Sequence, residues 1–173
     1  MTKKEASIVN SAISLFAEKG YHATSTRLIA ENAEVSEGLI FKHFKNKEGL
    51  LEKIILISQD KLKKLIEPIE SLTHPKVIIK HILSIPLNIG EDEKKLFKLI
   101  NSIRWQMNNF ETNLFNIFRP KILDSFKALN YNDPSSETET LLMMLEGTML
   151  HVLQNGSKNT LLVLDNILKK FDI

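Results

Sequence analysis

The sequence predicts an all-α protein, in which an N-terminal three-helix helix-turn-helix domain is followed by a larger helical domain. Apolar residues recur at i, i+3 and i+4 through most of the 173 residues, and proline, glycine and asparagine separate the segments that carry this period. No stretch alternates apolar and polar residues as a half-buried strand would. Apolar residues make up 43% of the chain, which is enough for a substantial core.

The segment from residue 25 to residue 47 is the centre of this prediction. Ser25 can accept a hydrogen bond from the backbone at the start of a short helix, in which Ile29 and Ala33 face the core at i, i+4 spacing. Ala30 is small enough to lie where two helices cross at close range. A short turn is expected to end this helix.

A second short helix is predicted after that turn. Val35 is expected to pack beneath the turn, Ser36 to act as the N-cap, and Ile40 and Phe44 to face the core. A turn of about three or four residues between two such helices favours the DNA-binding helix-turn-helix over an ordinary helix pair. The segment 36–43 is therefore predicted to enter the major groove of DNA.

The remaining helices are expected, in chain order, at residues 3–19, 47–66, 76–85, 91–108, 110–129, 135–154 and 159–170. Gly20 should end the first of them, and Asn46 should cap the helix that follows the helix-turn-helix. Pro120 should bend its helix because it removes a backbone donor. We expect two domains, residues 1–46 and 47–173.

Composition excludes several classes of protein. The chain has no cysteine, and the spacing of its five histidines does not suggest a metal site. No serine-histidine-aspartate order and no glycine-rich phosphate loop is present, so neither an enzyme nor a cofactor is expected. No apolar run approaches the roughly 20 residues that span a bilayer, and nothing signals secretion, so a cytoplasmic protein is expected.

Net charge alone does not predict binding to nucleic acid. The whole chain carries +2, and residues 1–53 contain eight Lys/Arg against seven Asp/Glu, a net charge of +1. DNA binding would therefore depend on where individual cations lie.

Residues 8–51 resemble the N-terminal domain of the TetR family of transcriptional regulators. The resemblance rests on LFAEKGYHATST, which leads from the first helix to the second, and on LIAENAEVSEGLIFKHFKNKEGLL, which continues into the fourth. It implies a homodimer that pairs through the last two helices of each chain, with one half-site of a double-stranded DNA operator bound per subunit. It also implies that residues 47–173 form a ligand-binding and dimerisation domain with a pocket for a small-molecule effector.

The sequence departs from the family pattern at three positions. Glu34 stands where glycine is usual, so a left-handed turn there would cost on the order of 1 kcal/mol. Phe41 replaces a usual tyrosine and Leu39 a commoner threonine, so neither can offer a hydroxyl to a phosphate. We expect Phe41 to contact a sugar or a thymine methyl group instead.

On this resemblance, polar side chains near the helix starts and on the reading helix are expected to contact phosphates, namely Thr26, Ser36, Lys42, His43 and Lys47. Contacts with base edges are expected from Arg27, Glu37, Gly38 and Leu39. Glu37 could accept from a cytosine amino group, and Gly38 would allow the helix to approach closely.

An ordinary structural role is the alternative for several of these residues. Lys42 and Lys47 could be solvated, Ser36 could be only a cap, and His43 could simply pack beside Phe44.

Aromatic, methionine and polar residues of the middle helices are candidates for the effector pocket, namely His81, Phe97, Asn101, Arg104, Trp105, Phe110, Phe118, Met144 and His151. The scarcity of charge among them suggests an apolar or aromatic effector. For each of them, an ordinary core position is the alternative.

We therefore expect a dimeric, ligand-responsive transcriptional repressor that an effector releases from its operator. One alternative is a regulator without a small-molecule pocket that activates transcription or responds to a protein partner. A helical carrier protein that has lost operator binding is the other. No membrane partner is expected.

Overall fold

A computed structural model describes residues 1–106, 114–157 and 160–173, and these residues contain nine α-helices, a short 3-10 helix and no strand. The helices are α1 (Lys3–Lys19), α2 (Thr26–Asn32), α3 (Glu37–Phe44), α4 (Lys47–Glu70), α5 (Pro75–Asn88), α6 (Glu91–Gln106), α7 (Arg119–Ala128), α8 (Pro134–Asn155) and α9 (Thr160–Lys170), and the 3-10 helix is Leu114–Phe118. The all-α prediction is thus confirmed.

The predicted starts of the N-terminal helices agree with the structure because their caps are local. Thr2 accepts from the Glu5 amide as the N-cap of α1, and Ser25 accepts from the Leu28 amide as the N-cap of α2. The Asn46 side chain accepts from the amide of Gly49 at 2.7 Å, at the start of α4.

The structure corrects the expected effects of proline. Pro68 lies inside α4, which ends at Glu70 and not at residue 66, and Pro86 lies inside α5. Each lies two residues before the C-terminal end of its helix, so it removes one hydrogen bond, to the carbonyl four residues earlier, and only the last turn is affected. Pro120 does not bend a helix over 110–129, because it lies at the start of α7, where its fixed φ suits the first turn.

The described residues pack as two compact units. Unit 1 contains Met1–Lys61 and α6, and unit 2 contains Leu62–Gly90 together with the described elements from the 3-10 helix onwards. This division reflects packing and follows from the contact of α1 with α6 in unit 1. The expected boundary between residues 46 and 47 concerns functional domains and not packing units, and it stays a prediction.

Unit 1 has a buried apolar core built from the predicted apolar positions. Ile8 and Phe16 of α1, Ile29 of α2 and Ile40 of α3 have no exposed surface, and neither does Leu50 of α4. Each such side chain contributes roughly 1.5–3 kcal/mol when removed from water, so this core fixes the three short helices against one another.

Unit 2 forms a second core around α5, α7, α8 and α9. Phe126 of α7 is fully buried, and its ring lies 4.8 Å from that of Tyr131 and 5.5 Å from that of Phe171. The Tyr131 hydroxyl donates to the backbone carbonyl of Phe171 at 2.8 Å, which joins the end of α9 to α7 and its C-terminal loop.

Replacement of Glu34 by glycine should stabilise the protein. Glu34 has a φ of 55°, the left-handed conformation expected at the turn, so Glu34→Gly should raise the free energy of unfolding by up to about 1 kcal/mol. Urea denaturation would measure the change. Asn130→Gly is the matched control at a φ of 58°, where a smaller gain is expected because asparagine tolerates this conformation. A loss of stability in Glu34→Gly would show that the Glu34 side chain outweighs the strain.

Candidate nucleic-acid interface

The turn between α2 and α3 is closed by backbone hydrogen bonds. The amide of Val35 donates to the carbonyl of Ala30 at 3.0 Å, and the amide of Glu34 donates to that of Glu31 at 3.2 Å. The Ser7 hydroxyl of α1 donates to the carbonyl of Ala33 at 3.1 Å, so α1 holds the turn directly. These bonds fix the angle at which α3 leaves the turn.

One face of α3 is buried and the other is open to solvent. Ile40 and Phe44 face the core, whereas Gly38 and Lys42 are exposed and Phe41 exposes 47% of its surface. A large aromatic ring in water on a short helix is unusual without a partner. The exposed face is the one predicted to meet DNA.

The N-terminus of α3 keeps its polar groups available. Ser36 has the extended backbone of an N-cap, but its side chain makes no capping hydrogen bond, and the residue is exposed. Ser36 is therefore a cap in backbone conformation only. Its hydroxyl and the first amides of α3 can bind an anion such as a phosphate.

Glu37 is held by a residue of the preceding helix. The Thr26 hydroxyl donates to Oε1 of Glu37 at 2.6 Å, and both residues are half-buried. This bond orients the carboxylate and leaves Oε2 for another donor. Thr26 thus positions Glu37 with its hydroxyl proton, and its expected contact with a phosphate stays a prediction.

Lys47 also has partners within the chain. Its ammonium donates to the carbonyls of Tyr21 and Thr24, each at 3.0 Å, and it lies 4.4 Å from the centroid of the Tyr21 ring. A phosphate contact by Lys47 stays a prediction, and only the third N–H of its ammonium is left for it by these two bonds. The side chain ties the loop between α1 and α2 to the start of α4, a role that spacing along the sequence could not reveal.

His43 and Arg27 each have an acidic neighbour. Nδ1 of His43 lies 3.0 Å from Oε1 of Glu5 on α1, and its ring lies 6.1 Å from that of Phe44, as in the packing alternative. Arg27 pairs with Glu31 one turn along α2 at 3.1 Å, with both side chains largely exposed. Such an exposed pair is weak, so Arg27 can exchange it for DNA.

Three residues important to this surface were not predicted as site residues. Lys45 is an exposed cation just after α3, with a φ of 68°. Tyr21 is buried and donates to Glu48 at 3.2 Å, and burial and then the Glu48 charge raise the pKa of Tyr21 to about 12. Gly49 admits no side chain, because a Cβ there would lie 2.1 Å from the carbonyl oxygen of Phe44. For Gly49, the only signal in the sequence was a glycine near the start of a predicted helix.

The candidate effector residues are divided between the two units. Phe97 (buried) and Asn101 (half-buried) belong to unit 1, and the others whose side chains are described belong to unit 2: His81 and Met144 (half-buried), Phe118 (buried) and His151 (exposed). His151 is in contact with Asn155 at 3.3 Å. Phe110 and the side chains of Arg104 and Trp105 lie outside the described residues. A shared pocket for the nine residues stays a prediction.

Comparison with protein families identifies the N-terminal segment. Residues 8–54 match the family model described as bacterial regulatory proteins, tetR family. The match covers α2 and α3 completely, together with most of α1 and the first residues of α4.

Similar proteins match about half of the chain. The chain is 36% identical over 92 residues to the uncharacterized HTH-type transcriptional regulator YvkB of Bacillus subtilis, which covers 53% of this chain and 48% of that protein. It is 34% identical over 79 residues to the HTH-type transcriptional regulator UidR of Escherichia coli K12, covering 45% and 40%. The chain thus spans less than half the length of these relatives. Both are named as regulators and not as enzymes.

A solved structure has the same fold over nearly the whole chain. A transcriptional regulator from Aquifex aeolicus VF5, described as TerR/AcrR family, superposes with a TM-score of 0.74 at 22% identity and covers 98% of each chain. This likeness extends the shared fold through α9.

Removal of the Lys47 ammonium should lower the free energy of unfolding, and this effect should be larger than its effect on the free energy of salt-dependent DNA binding. Lys47→Met keeps the apolar stem but removes the ammonium from the carbonyls of Tyr21 and Thr24, of which that of Tyr21 keeps the Thr24 amide as a donor, and the loss should cost about 1–3 kcal/mol. Thermal unfolding would then shift down by several degrees. Lys53→Met, at an exposed position of the same helix, is the control and should behave as wild type. If the two variants unfolded at the same temperature, the two carbonyl contacts of Lys47 would contribute nothing to stability.

Proposed function

We propose that this chain, a member of the TetR family of bacterial regulatory proteins, is a dimeric transcriptional repressor that a small apolar or aromatic effector releases from its DNA operator. The observation that carries the proposal is α3, whose solvent-facing side offers an uncapped N-terminus, a glycine, an exposed aromatic ring and a lysine. None of these features is needed by the core beneath them. A cytoplasmic location follows because operator DNA is there; none of the described helices could cross a membrane.

In this proposal the contacts divide by chemistry. Ser36, the first amides of α3 and Lys42 bind phosphates, since a helix N-terminus and a cation both favour negative charge. Gly38 brings the backbone close to the base edges, while Leu39 and Phe41 make apolar contacts with sugars or thymine methyl groups.

Charged residues beside α3 would add specificity. Glu37 has one carboxylate oxygen fixed by Thr26 and can accept from a cytosine amino group with the other. Arg27 and Lys45 lie on exposed flanking positions and are further contacts in this proposal.

Dimerisation is proposed through α8 and α9. Met143, Gly147 and Leu150 are exposed and share one face of α8, and Leu161 and Leu162 of α9 expose 60% and 70% of their surfaces. Clustered apolar exposure of this kind marks an interface on a soluble protein. Gly147 would allow the paired helices to approach closely.

The effector would act by shifting a population. A dimer whose two α3 helices match half-sites about one helical turn apart binds DNA, and a ligand that prefers another spacing draws it away. The ligand can do so only by its difference in affinity for the two states.

Gly38→Ala is expected to weaken operator binding while leaving the fold intact. A Cβ at position 38 meets nothing within 4 Å, and alanine raises helix propensity by about 1 kcal/mol, so thermal stability should not fall. In the complex that methyl group would stand between helix and bases. Binding to DNA upstream of the protein's own gene, with scrambled DNA as control, should be measured across a salt series.

We expect wild type to protect two half-sites there and Gly38→Ala to lose at least tenfold in affinity. Equal binding by both proteins would show that position 38 does not face the groove. Equal, weak and steeply salt-dependent binding of wild type to both DNAs would count against specific recognition of that sequence.

Charges on the exposed face of α8 and α9 should separate the dimer. Leu150→Glu with Leu161→Glu would place carboxylates in the proposed interface, and sedimentation should change from dimer to monomer. Val77→Glu, at an apolar residue of α5 with 47% exposure, is the control and should remain dimeric. A double variant that still sediments as a dimer would move the interface elsewhere.

A further inference from the structure

A cavity of about 400 Å³ lies within unit 1, between α1, α4 and α6. This volume is within the roughly 300–1,000 Å³ of small-molecule pockets. None of the six candidate effector residues whose side chains the structure describes lines it. The cavity is therefore distinct from the effector pocket expected from the sequence.

The floor of the cavity is apolar. Val9 and Ile13 of α1, Ile57 of α4 and Leu96 of α6 line it. Ile13 and Ile57 are half-buried and offer the accessible apolar surface, whereas Val9 and Leu96 are each only 2% exposed and close the floor from below. Three helices that meet around an apolar floor would ordinarily close on it, because empty space forfeits packing contacts. A floor left open can accept a hydrocarbon chain.

The mouth of the cavity is polar and carries more positive than negative charge. Lys61 and Lys95 line it together with one acid, Asp92, and Asn10 adds an amide. Lys61 is engaged with Glu93 at 2.7 Å, and the neighbouring Lys94 with Glu91 at 2.6 Å. Lys95 is exposed and pairs with no carboxylate of the described residues within 4 Å, although its charge, after those of Lys94 and Lys98, lowers the pKa of Glu91. Its ammonium is thus available to a bound anion.

We propose that this cavity binds a small amphiphilic carboxylate, with the hydrocarbon chain on the apolar floor and the carboxylate paired with Lys95. Asn10 can donate a further hydrogen bond to the carboxylate. A neutral ligand of the same length would gain only the apolar contacts.

The site is coupled to α3 through α1, and this step rests on the proposed function. Helix α1 lines the cavity with Val9 and Ile13, and it also carries Ser7, which bonds to the turn before α3, and Glu5, which pairs with His43. A ligand that changes the packing of α1 on α6 therefore displaces a helix to which the turn and α3 are attached. We expect its occupation to alter DNA affinity.

Octanoate is the probe, and 1-octanol is its neutral counterpart. Calorimetric titration of the whole chain should show tighter binding of octanoate than of 1-octanol. Lys95→Gln should weaken octanoate binding about two- to five-fold, the effect of an exposed ion pair, and leave 1-octanol unchanged. Lys98→Gln, exposed on the same helix but not lining the cavity, is the matched control and should change neither.

Location is tested separately from affinity. Isoleucine methyl NMR signals of Ile13 and Ile57 should shift with octanoate, and Ile13→Trp, which fills the cavity, should abolish binding. No binding of octanoate to wild type would overturn the site, as would equal affinity in the two lysine variants or shifts that spare both isoleucines. Should Ile13→Trp fail to fold, the lysine pair and the methyl shifts still decide.

Coupling has its own readout. Octanoate should change the DNA affinity of wild type, and the change should shrink in Lys95→Gln; binding without any change in DNA affinity would overturn the coupling. Calorimetry needs no DNA, so failure of the site is distinguishable from failure of the proposed repressor function. In the latter case wild type would form no specific complex even without octanoate.

Discussion

The position of the reading helix depends on the packing of α1. Ile8, Ala12 and Phe16 of α1 are fully buried. Helix α1 packs on α2 and α2 on α3, and neither of these short helices is long enough to be stable alone. The buried stripe fixes where the short helices lie, and two polar contacts add direction. Ser7 bonds to the turn and Glu5 pairs with His43, so the angle of α3 is set from outside α3 itself.

A second constraint is the set of contacts that joins the loop after α1 and the end of α3 to the first residues of α4. Lys47 holds two carbonyls of the loop after α1, Tyr21 donates to Glu48, and Gly49 leaves room for the carbonyl of Phe44. These contacts pair polar groups with one another inside the protein. Without these partners, the same groups could bind anions at the nearby surface. They separate the residues that build the helix-turn-helix, such as Lys47 and Thr26, from those that it presents to solvent.

The presented groups share a property that makes α3 suited to DNA. They lie on its solvent side and leave the fold unchanged if altered, as the open space around Gly38 shows. Function can therefore vary at these positions without loss of stability. The exposed Phe41 ring is the clearest example, since burial in a partner is the only stabilisation that it can gain. In unit 2, the exposed leucines of α8 and α9 can likewise be stabilised by burial in a partner.

Some features of this protein follow from the sequence alone. Helix type, most helix starts and the core positions of α1 to α3 do, because caps and the 3.6-residue period act over only a few residues. A left-handed conformation at Glu34 was suggested by the resemblance, since glycine is usual at that position of the family, and the φ of 55° agrees with it. The motif over residues 8–51 was specific enough to indicate the family.

Only the tertiary structure decided which polar side chains remain available. Thr26, Lys47 and His43 looked like phosphate contacts, yet their partners Glu37, Tyr21, Thr24 and Glu5 come from other elements. The cavity lined by Val9, Ile57 and Leu96 likewise joins residues far apart in the chain. Periodicity records which face of a helix is apolar, but it does not record what that face meets, because contacts between helices depend on distances that no local pattern encodes.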